Sequence, residues 1–235
     1  GNKKVNFFTD VSNYVSYEIG QPSHAYKYES VKGGLVLEKL KENITFETLF
    51  GQEIGLRKGD LVFTKNNNIL NLAGIMGGKN SSCDSETRKA LIEFAHFKPS
   101  HIAGKSISYS LNSESAHKFE RYVDPALVNF ANKRFIQIIK DHATIKELKI
   151  FRFDSNKHTQ RKIDFNETKI NKILGCNFSK DKIKEILKGL SFNISDNTIE
   201  VPSFRIDIEN SNDISEEIAR VVGYQSIESS PFSFS

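Results

Sequence analysis

Val123-Asp124-Pro125-Ala126-Leu127-Val128-Asn129-Phe130-Ala131-Asn132-Lys133-Arg134-Phe135-Ile136-Gln137-Ile138-Ile139 reads as a helix start followed by a helix. Asp124 stands where an N-cap carboxylate accepts orphan backbone N–H groups, and Pro125 occupies the first helical position, where its missing N–H is no loss. Leu127, Ala131, Phe135, Ile138 and Ile139 then recur at helical spacing and define one apolar face. Upstream the pattern changes to strand-length apolar runs bounded by polar residues or Gly: Leu35-Val36-Leu37, Leu61-Val62-Phe63 and Ala90-Leu91-Ile92-Glu93-Phe94. Short strands mixed with helices set the fold class as α+β.

Downstream of the helix, Leu148–Phe153 is expected to be a strand. The polar stretch Asp154–Lys162 that follows is the best boundary in the chain. It divides a mixed α/β module, residues 1–156, from a smaller α+β unit, residues 157–235. In the second unit a helix over Glu167–Leu174 is closed by Gly175, and a second over Asp181–Leu190 is capped by Ser179. A strand over Thr198–Val201 ends at Pro202. The last helix, Ile214–Val222, takes Asp213 as N-cap with Glu216 three residues on, and Gly223 follows its end. The tail Ser226–Ser235 has no periodicity.

The chain has 235 residues with 38% hydrophobic and 26% charged. That excludes disordered and fibrous classes. No run approaches the ~18 apolar residues of a membrane helix, and Gly1-Asn2-Lys3-Lys4 lacks the pattern of a secretory signal. Without an initiator Met, the chain is expected to be a piece of a longer protein. A net charge of +4 permits contact with nucleic acid without arguing for it alone. Cys83 and Cys176 lie far apart and near no His–Cys cluster, so neither a disulfide framework nor a zinc site is expected, and a reducing, cytoplasmic compartment is.

No P-loop, GxGxxG, Gly-x-Ser-x-Gly or paired metal histidines occur. Four strings carry more chemistry. Asn13-Tyr14-Val15 precedes Gly20-Gln21-Pro22-Ser23-His24-Ala25-Tyr26, where Gly-Gln-Pro is a turn and His24 follows the bend, either as a working imidazole or as a half-buried histidine satisfied by backbone. Leu72-Ala73-Gly74-Ile75-Met76-Gly77-Gly78 clusters small residues, which bring backbone close to a ligand or to a neighbouring strand. Leu91-Ile92-Glu93-Phe94-Ala95 sets a carboxylate in an apolar strand; a buried Glu needs a partner, an exposed one does not. Ser113-Glu114-Ser115-Ala116-His117-Lys118-Phe119-Glu120-Arg121-Tyr122-Val123-Asp124-Pro125 leads into the long helix, and Glu120 and Arg121 are equally explained as surface charges.

In this order, the four strings resemble the N-Y-V…G-Q-P-x-H-A-F, A-G-I-M-G-G, L-E-x-A-x-F-x-P and S-H-R-F-E-R-G-V-D-P blocks of the bacterial phenylalanine–tRNA ligase β-subunit family. In the second unit, Val201-Pro202-Ser203-Phe204-Arg205-Ile206-Asp207-Ile208 and Asp213–Tyr224 are similar to that family's P-S-x-R-x-D-I and D-x-x-E-E-x-A-R-x-x-G-Y. The resemblance covers nearly the whole chain, and its specificity lies in the joint order of the blocks.

The resemblance implies that the first unit is an editing module that hydrolyses tyrosine wrongly esterified to tRNA(Phe). A hydrophobic pocket rejects a near-isostere with one added hydroxyl only weakly, so a second sieve is needed. It maps the pocket onto Asn13, His24, Gly74, Glu93, Ser113 and Ser115. Glu93 is implied to receive the tyrosine hydroxyl, and His24 to lie near the scissile ester, where it positions water or stabilises developing charge. The second unit is implied to resemble helical DNA-binding domains, with no DNA as partner. Asp207, Asp213, Glu216 and Glu217 match the family's magnesium ligands near the contact with the α subunit, although a helix cap explains Asp213 and Glu216 equally well. Implied partners are the α subunit in an α2β2 heterotetramer, the tRNA(Phe) acceptor end and mischarged tyrosine; ATP is used at the α-subunit site. Departures from the family include Ser113 and Ser115 where Thr and Ala are usual, Lys3 where Arg is, and Tyr122 in place of Gly. A binding module for assembly and tRNA-end docking, with a decayed pocket, is the alternative reading.

Overall fold

The computed structural model describes residues 4–153 and 160–227, and the chain forms two compact units, Gly1–Phe151 and Arg152–Ser235. Lys3, residues 154–159 of the polar stretch and residues 228–235 of the tail lie outside the described residues.

The first unit opens with α1 (Phe7–Ile19). Asn6 Oδ1 accepts the Phe8 N–H at 3.0 Å, and Gly20, in the left-handed region, donates its N–H to the Ser16 carbonyl. A polar cap at one end and a glycine at the other set the length of this helix. The Gly-Gln-Pro turn then releases the chain into β1 (Ser23–Lys27), the single turn α2 (Tyr28–Val31), β2 (Val36–Lys39), β3 (Ile44–Glu47) and β4 (Glu53–Leu56). β5 (Leu61–Lys65), β6 (Asn68–Leu72), β7 (Met76–Gly77) and β8 (Ala90–Phe94) follow. β1 pairs with β8, β2-β5-β6-β7 form a four-stranded sheet, and β3 pairs with β4, all antiparallel. α3 (Lys105–Ser108), α4 (Glu114–Glu120) and α5 (Leu127–His142) complete the unit.

The alternation of β8 orients the site. Ile92 and Phe94 pack with Val11 and Val15 of α1 and with Ala131, Phe135 and Ile139 of α5. The Phe94 and Phe135 rings meet edge to face at 5.8 Å. Successive strand side chains point to opposite faces, so Leu91 and Glu93 turn the other way. Leu91 there packs beside Tyr26, Val31 and Leu70.

The second unit comprises β9 (Lys162–Asp164), α6 (Glu167–Leu174), α7 (Lys180–Gly189), β10 (Asn193–Ser195), β11 (Thr198–Glu200) and α8 (Ser211–Val222), with sheet order β10-β11-β9. Ile163, Ile170, Ile183, Leu187, Ile199, Ile214 and Ile218 centre its core. Gly175 ends α6 and Ser179 caps α7, as the sequence predicts.

Three local expectations are corrected. α5 begins at Leu127, not Pro125: Asp124 Oδ1 accepts the Ala126 N–H at 2.9 Å, closing a tight turn ahead of the helix. α8 begins a turn earlier than predicted. Asn210 is its N-cap and Asp213 the reciprocal partner, its Oδ2 accepting the Glu209 and Asn210 N–H groups at 2.7 and 2.9 Å. Among the described residues, Leu148–Phe153 pairs with no strand. An apolar, strand-like pattern needs a sheet edge beside it; with none, Phe151 and Phe153 stay 83% and 95% exposed.

Candidate functional site

β1 and β8 place His24 opposite Glu93 on one rung of the ladder. Both side chains are half-buried, on the face turned away from α1 and α5. Tyr26, two residues after His24 and fully buried, lies on the same face and donates its hydroxyl hydrogen to Glu93 Oε2 at 2.9 Å. Asn71 on β6, 3% exposed, donates from Nδ2 to the same phenol oxygen at 2.9 Å. The His24 and Tyr26 rings meet edge to face with centroids 4.4 Å apart.

The glycine string supplies the opposing wall. A Cβ on Gly77 would lie 2.3 Å from His24 Cε1 and 2.9 Å from Nε2, so only a glycine lets the imidazole sit there. At Gly74, whose φ is +70°, a Cβ would lie 2.8 Å from Phe97 Cδ2. The small residues therefore bring backbone against neighbouring side chains. Ser113 caps α4, accepting the Ala116 N–H, and donates to the Ile75 carbonyl at 2.5 Å; Ser115 donates to the Gly74 carbonyl at 3.0 Å. Both serines pin the glycine loop. A recess of about 340 Å³ lined by Asn112, Ser113, Glu114, His117 and Lys118 opens at this end of α4.

Burial drives the electrostatics. It pushes the His24 imidazole down to about 4, so the ring is neutral at physiological pH. It pushes the Glu93 carboxyl up to about 7, against the opposing effect of the Tyr26 hydrogen bond. His24 Nε2 and Asn71 Oδ1 are buried without a hydrogen-bond partner. A buried polar atom left unmatched is unfavourable, so each is a place where a polar partner would be favourable.

The structure thus pairs His24 with Glu93, sets Gly77 against His24, and ties Ser113 and Ser115 to the Ile75 and Gly74 carbonyls of the same loop. Asn13 is exposed on α1, and its side chain makes no hydrogen bond among the described residues; its neighbour Ser12 bonds to Ser23 at the foot of β1. Sequence reading missed Tyr26, Asn71 and the role of Gly77. Strand alternation from His24 already puts Tyr26 on its face, whereas nothing in the sequence links Asn71 to it. Tyr122 takes φ +86°, a conformation suited to the Gly it replaces.

The four acids of the second unit do not converge. Arg205 donates to Asp207 at 2.6 and 2.9 Å and to Glu217 at 2.7 Å, and Arg220 donates to Glu217 at 2.6 Å. The arginines hold the Glu217 carboxyl down to about 2. Asp213 closes the helix end, and Glu216 is exposed. Among the described residues no three metal-ligating side chains group together. As placed, the set does not fit a magnesium ion: guanidinium groups already neutralise two of its members.

The chain belongs to the B3/4 domain family, whose model matches residues 1–144, and the tRNA synthetase B5 domain matches residues 163–224. The full-length proteins it is similar to are phenylalanine–tRNA ligase beta subunits. Those of Francisella tularensis and Pectobacterium atrosepticum are 35% and 30% identical over 97% and 98% of the chain. The chain spans 30% of the length of each. An N-terminal fragment of the phenylalanyl-tRNA synthetase beta subunit from Pyrococcus horikoshii aligns over 92% of this chain and 65% of its own, with TM-score 0.45 and 13% identity. No described helix is long and apolar enough to cross a membrane.

Proposed function

We propose that the first unit removes tyrosine from tRNA(Phe) mischarged with it, as the editing part of a phenylalanine–tRNA ligase beta subunit. The observation that carries this reading is the His24–Glu93 rung, an imidazole whose Nε2 is buried without a partner beside a carboxylate already bonded to a phenol. A carboxylate in that setting matches the hydroxyl of a tyrosyl group. A phenylalanyl group offers no donor and leaves the carboxylate unmatched.

In the reaction, water adds to the carbonyl carbon of the ester between the aminoacyl group and the terminal ribose. The carbon–oxygen bond to the ribose breaks, the ribose oxygen takes a proton, and free tyrosine and tRNA leave. Neutral His24 accepts a hydrogen bond from the attacking water at Nε2 and orients it. Ser113 and Ser115 hold the glycine wall still, which is positioning rather than chemistry.

The same reading places the chain in a cytoplasmic α2β2 ligase that uses ATP at an α-subunit site, with the tRNA acceptor end docking here. The names of the relatives support the beta-subunit part of that setting. The test is release of tyrosine from tyrosyl-tRNA(Phe), with the chain and with the assembled ligase. Release above background that His24→Ala abolishes supports editing. A folded chain and an assembled ligase that both leave the ester intact would restrict the function to docking and assembly.

A further inference from the structure

Glu93 does not stand alone on its face of the ladder. Tyr26 is fully buried, its phenol oxygen receives Asn71 Nδ2, and its own hydrogen goes to Glu93 Oε2. A phenol has one hydrogen. With Asn71 occupying the oxygen as an acceptor, the phenol hydrogen is directed at the carboxylate. We infer that Tyr26, anchored by Asn71, is a positioning residue for Glu93: it holds one carboxylate oxygen and leaves the other to receive the phenol of the ligand. This rests on the reading of Glu93 as the acceptor of the tyrosyl hydroxyl.

The arrangement answers a physical difficulty. A half-buried carboxylate takes up a proton, and the acid form no longer offers two charged acceptor oxygens. Donation by Tyr26 opposes this, because a hydrogen bond to the charged form favours it. The titratable groups on Glu93's side of the ladder are His24 and Tyr26. β6 and β7 bring Asn71 and Gly77, which do not titrate. α1 and α5 lie against the opposite face through Ile92 and Phe94, and their Glu18 and Arg134 pair with each other. α2, at the Leu91 end, carries Tyr28, stacked under Lys89, and Glu29. Tyr26 is therefore the one direct donor to Glu93 among the described residues.

The test is Tyr26→Phe, which keeps the ring and its edge-to-face contacts with His24 and Phe63 and removes only the hydroxyl. The first measurement needs no tRNA. The Glu93 side-chain carboxyl is titrated by ¹³C NMR in the labelled chain, its signal assigned by its loss in Glu93→Gln. Wild type is expected to titrate near 7 and Tyr26→Phe about one pH unit higher. The second measurement is the ratio of tyrosyl- to phenylalanyl-tRNA(Phe) deacylation between pH 5.5 and 9. A rise of one unit cuts the ionised fraction at pH 7 from a half to about a tenth, so the ratio is expected to fall about fivefold there and to recover at high pH. A merely structural loss would not recover with pH. An unchanged ¹³C titration in a folded Tyr26→Phe chain overturns the inference. If Glu93→Gln leaves the deacylation ratio unchanged, the reading of Glu93 as acceptor fails instead, and the titration still decides whether Tyr26 governs its charge.

Discussion

At the scale of single residues, His24 and Glu93 have opposite pH signatures that separate them without a substrate. Glu93 is raised from 4.5 to about 7 in the folded chain, so the fold binds its proton more tightly than the unfolded chain does. Its contribution to stability is full below 4.5 and is lost as pH rises through 7. His24 is lowered from 6.5 to about 4, so the unfolded chain binds the proton more tightly, and its contribution is present above 6.5 and lost as pH falls through 4. Between pH 4.5 and 6.5 the two slopes oppose each other. Relative to wild type, Glu93→Gln is expected to lose about 3 kcal/mol as pH falls from 7 to 4.5, and His24→Gln to gain a similar amount from 6.5 to 4. Urea denaturation across that range checks it, and parallel curves for all three proteins would refute the burial of both groups. In catalysis, Glu93→Ala is expected to reduce discrimination tenfold to a hundredfold, the equivalent of about 1–3 kcal/mol for an unmatched charged group. His24→Ala is expected to slow hydrolysis of both charged tRNAs. Initial deacylation rates distinguish these patterns. Gly77→Ala forces the imidazole aside and is expected to resemble His24→Ala in kinetics, with about 1–3 kcal/mol of overpacking; a Gly77→Ala chain with wild-type rates would place the working His24 elsewhere.

At the scale of elements, end chemistry decides where helices start, and here the sequence was legible to within one turn. Asn210 and Asp213 form the reciprocal cap of α8, whereas the spacing of Asp213 and Glu216 suggested the same motif three residues later. Both registers fit the capping pattern; the one realised begins α8 at Ser211 and continues through the buried Ile214 and Ile218. Asp213→Ala removes the acceptor of two backbone N–H groups and is expected to destabilise the second unit by about 1 kcal/mol. Glu216→Ala, at an exposed position, should stay within about 0.5 kcal/mol. Thermal unfolding of the two variants reads the difference directly, and equal effects would restore the later register. The strand expected over Leu148–Phe153 failed for a different reason: apolar alternation states what a segment would bury, and a sheet edge must be available to bury it.

At the scale of the whole molecule, each unit closes a core of its own. The second unit's buried side chains, from Ile163 to Ala219, all pack within it, so residues 160–235 made alone are expected to unfold cooperatively. A gradual, non-cooperative melt with dispersed signals absent from its NMR spectrum would contradict that. The sequence by itself determined the α+β class, the caps of α6 and α7, and the presence of His24, Glu93 and the glycine string as unusual residues, because caps, periodicity and turn chemistry act within a few positions. Only tertiary structure decided that β1 and β8 pair, setting His24 against Glu93, that Gly77 lies under the imidazole, and that Asn71 reaches Tyr26. It also decided that Arg205 lies between Asp207 and Glu217, where the family resemblance implied a metal. Those contacts join residues far apart in the chain, and a buried polar group takes its partner from whatever the packing of distant elements brings within about 3 Å.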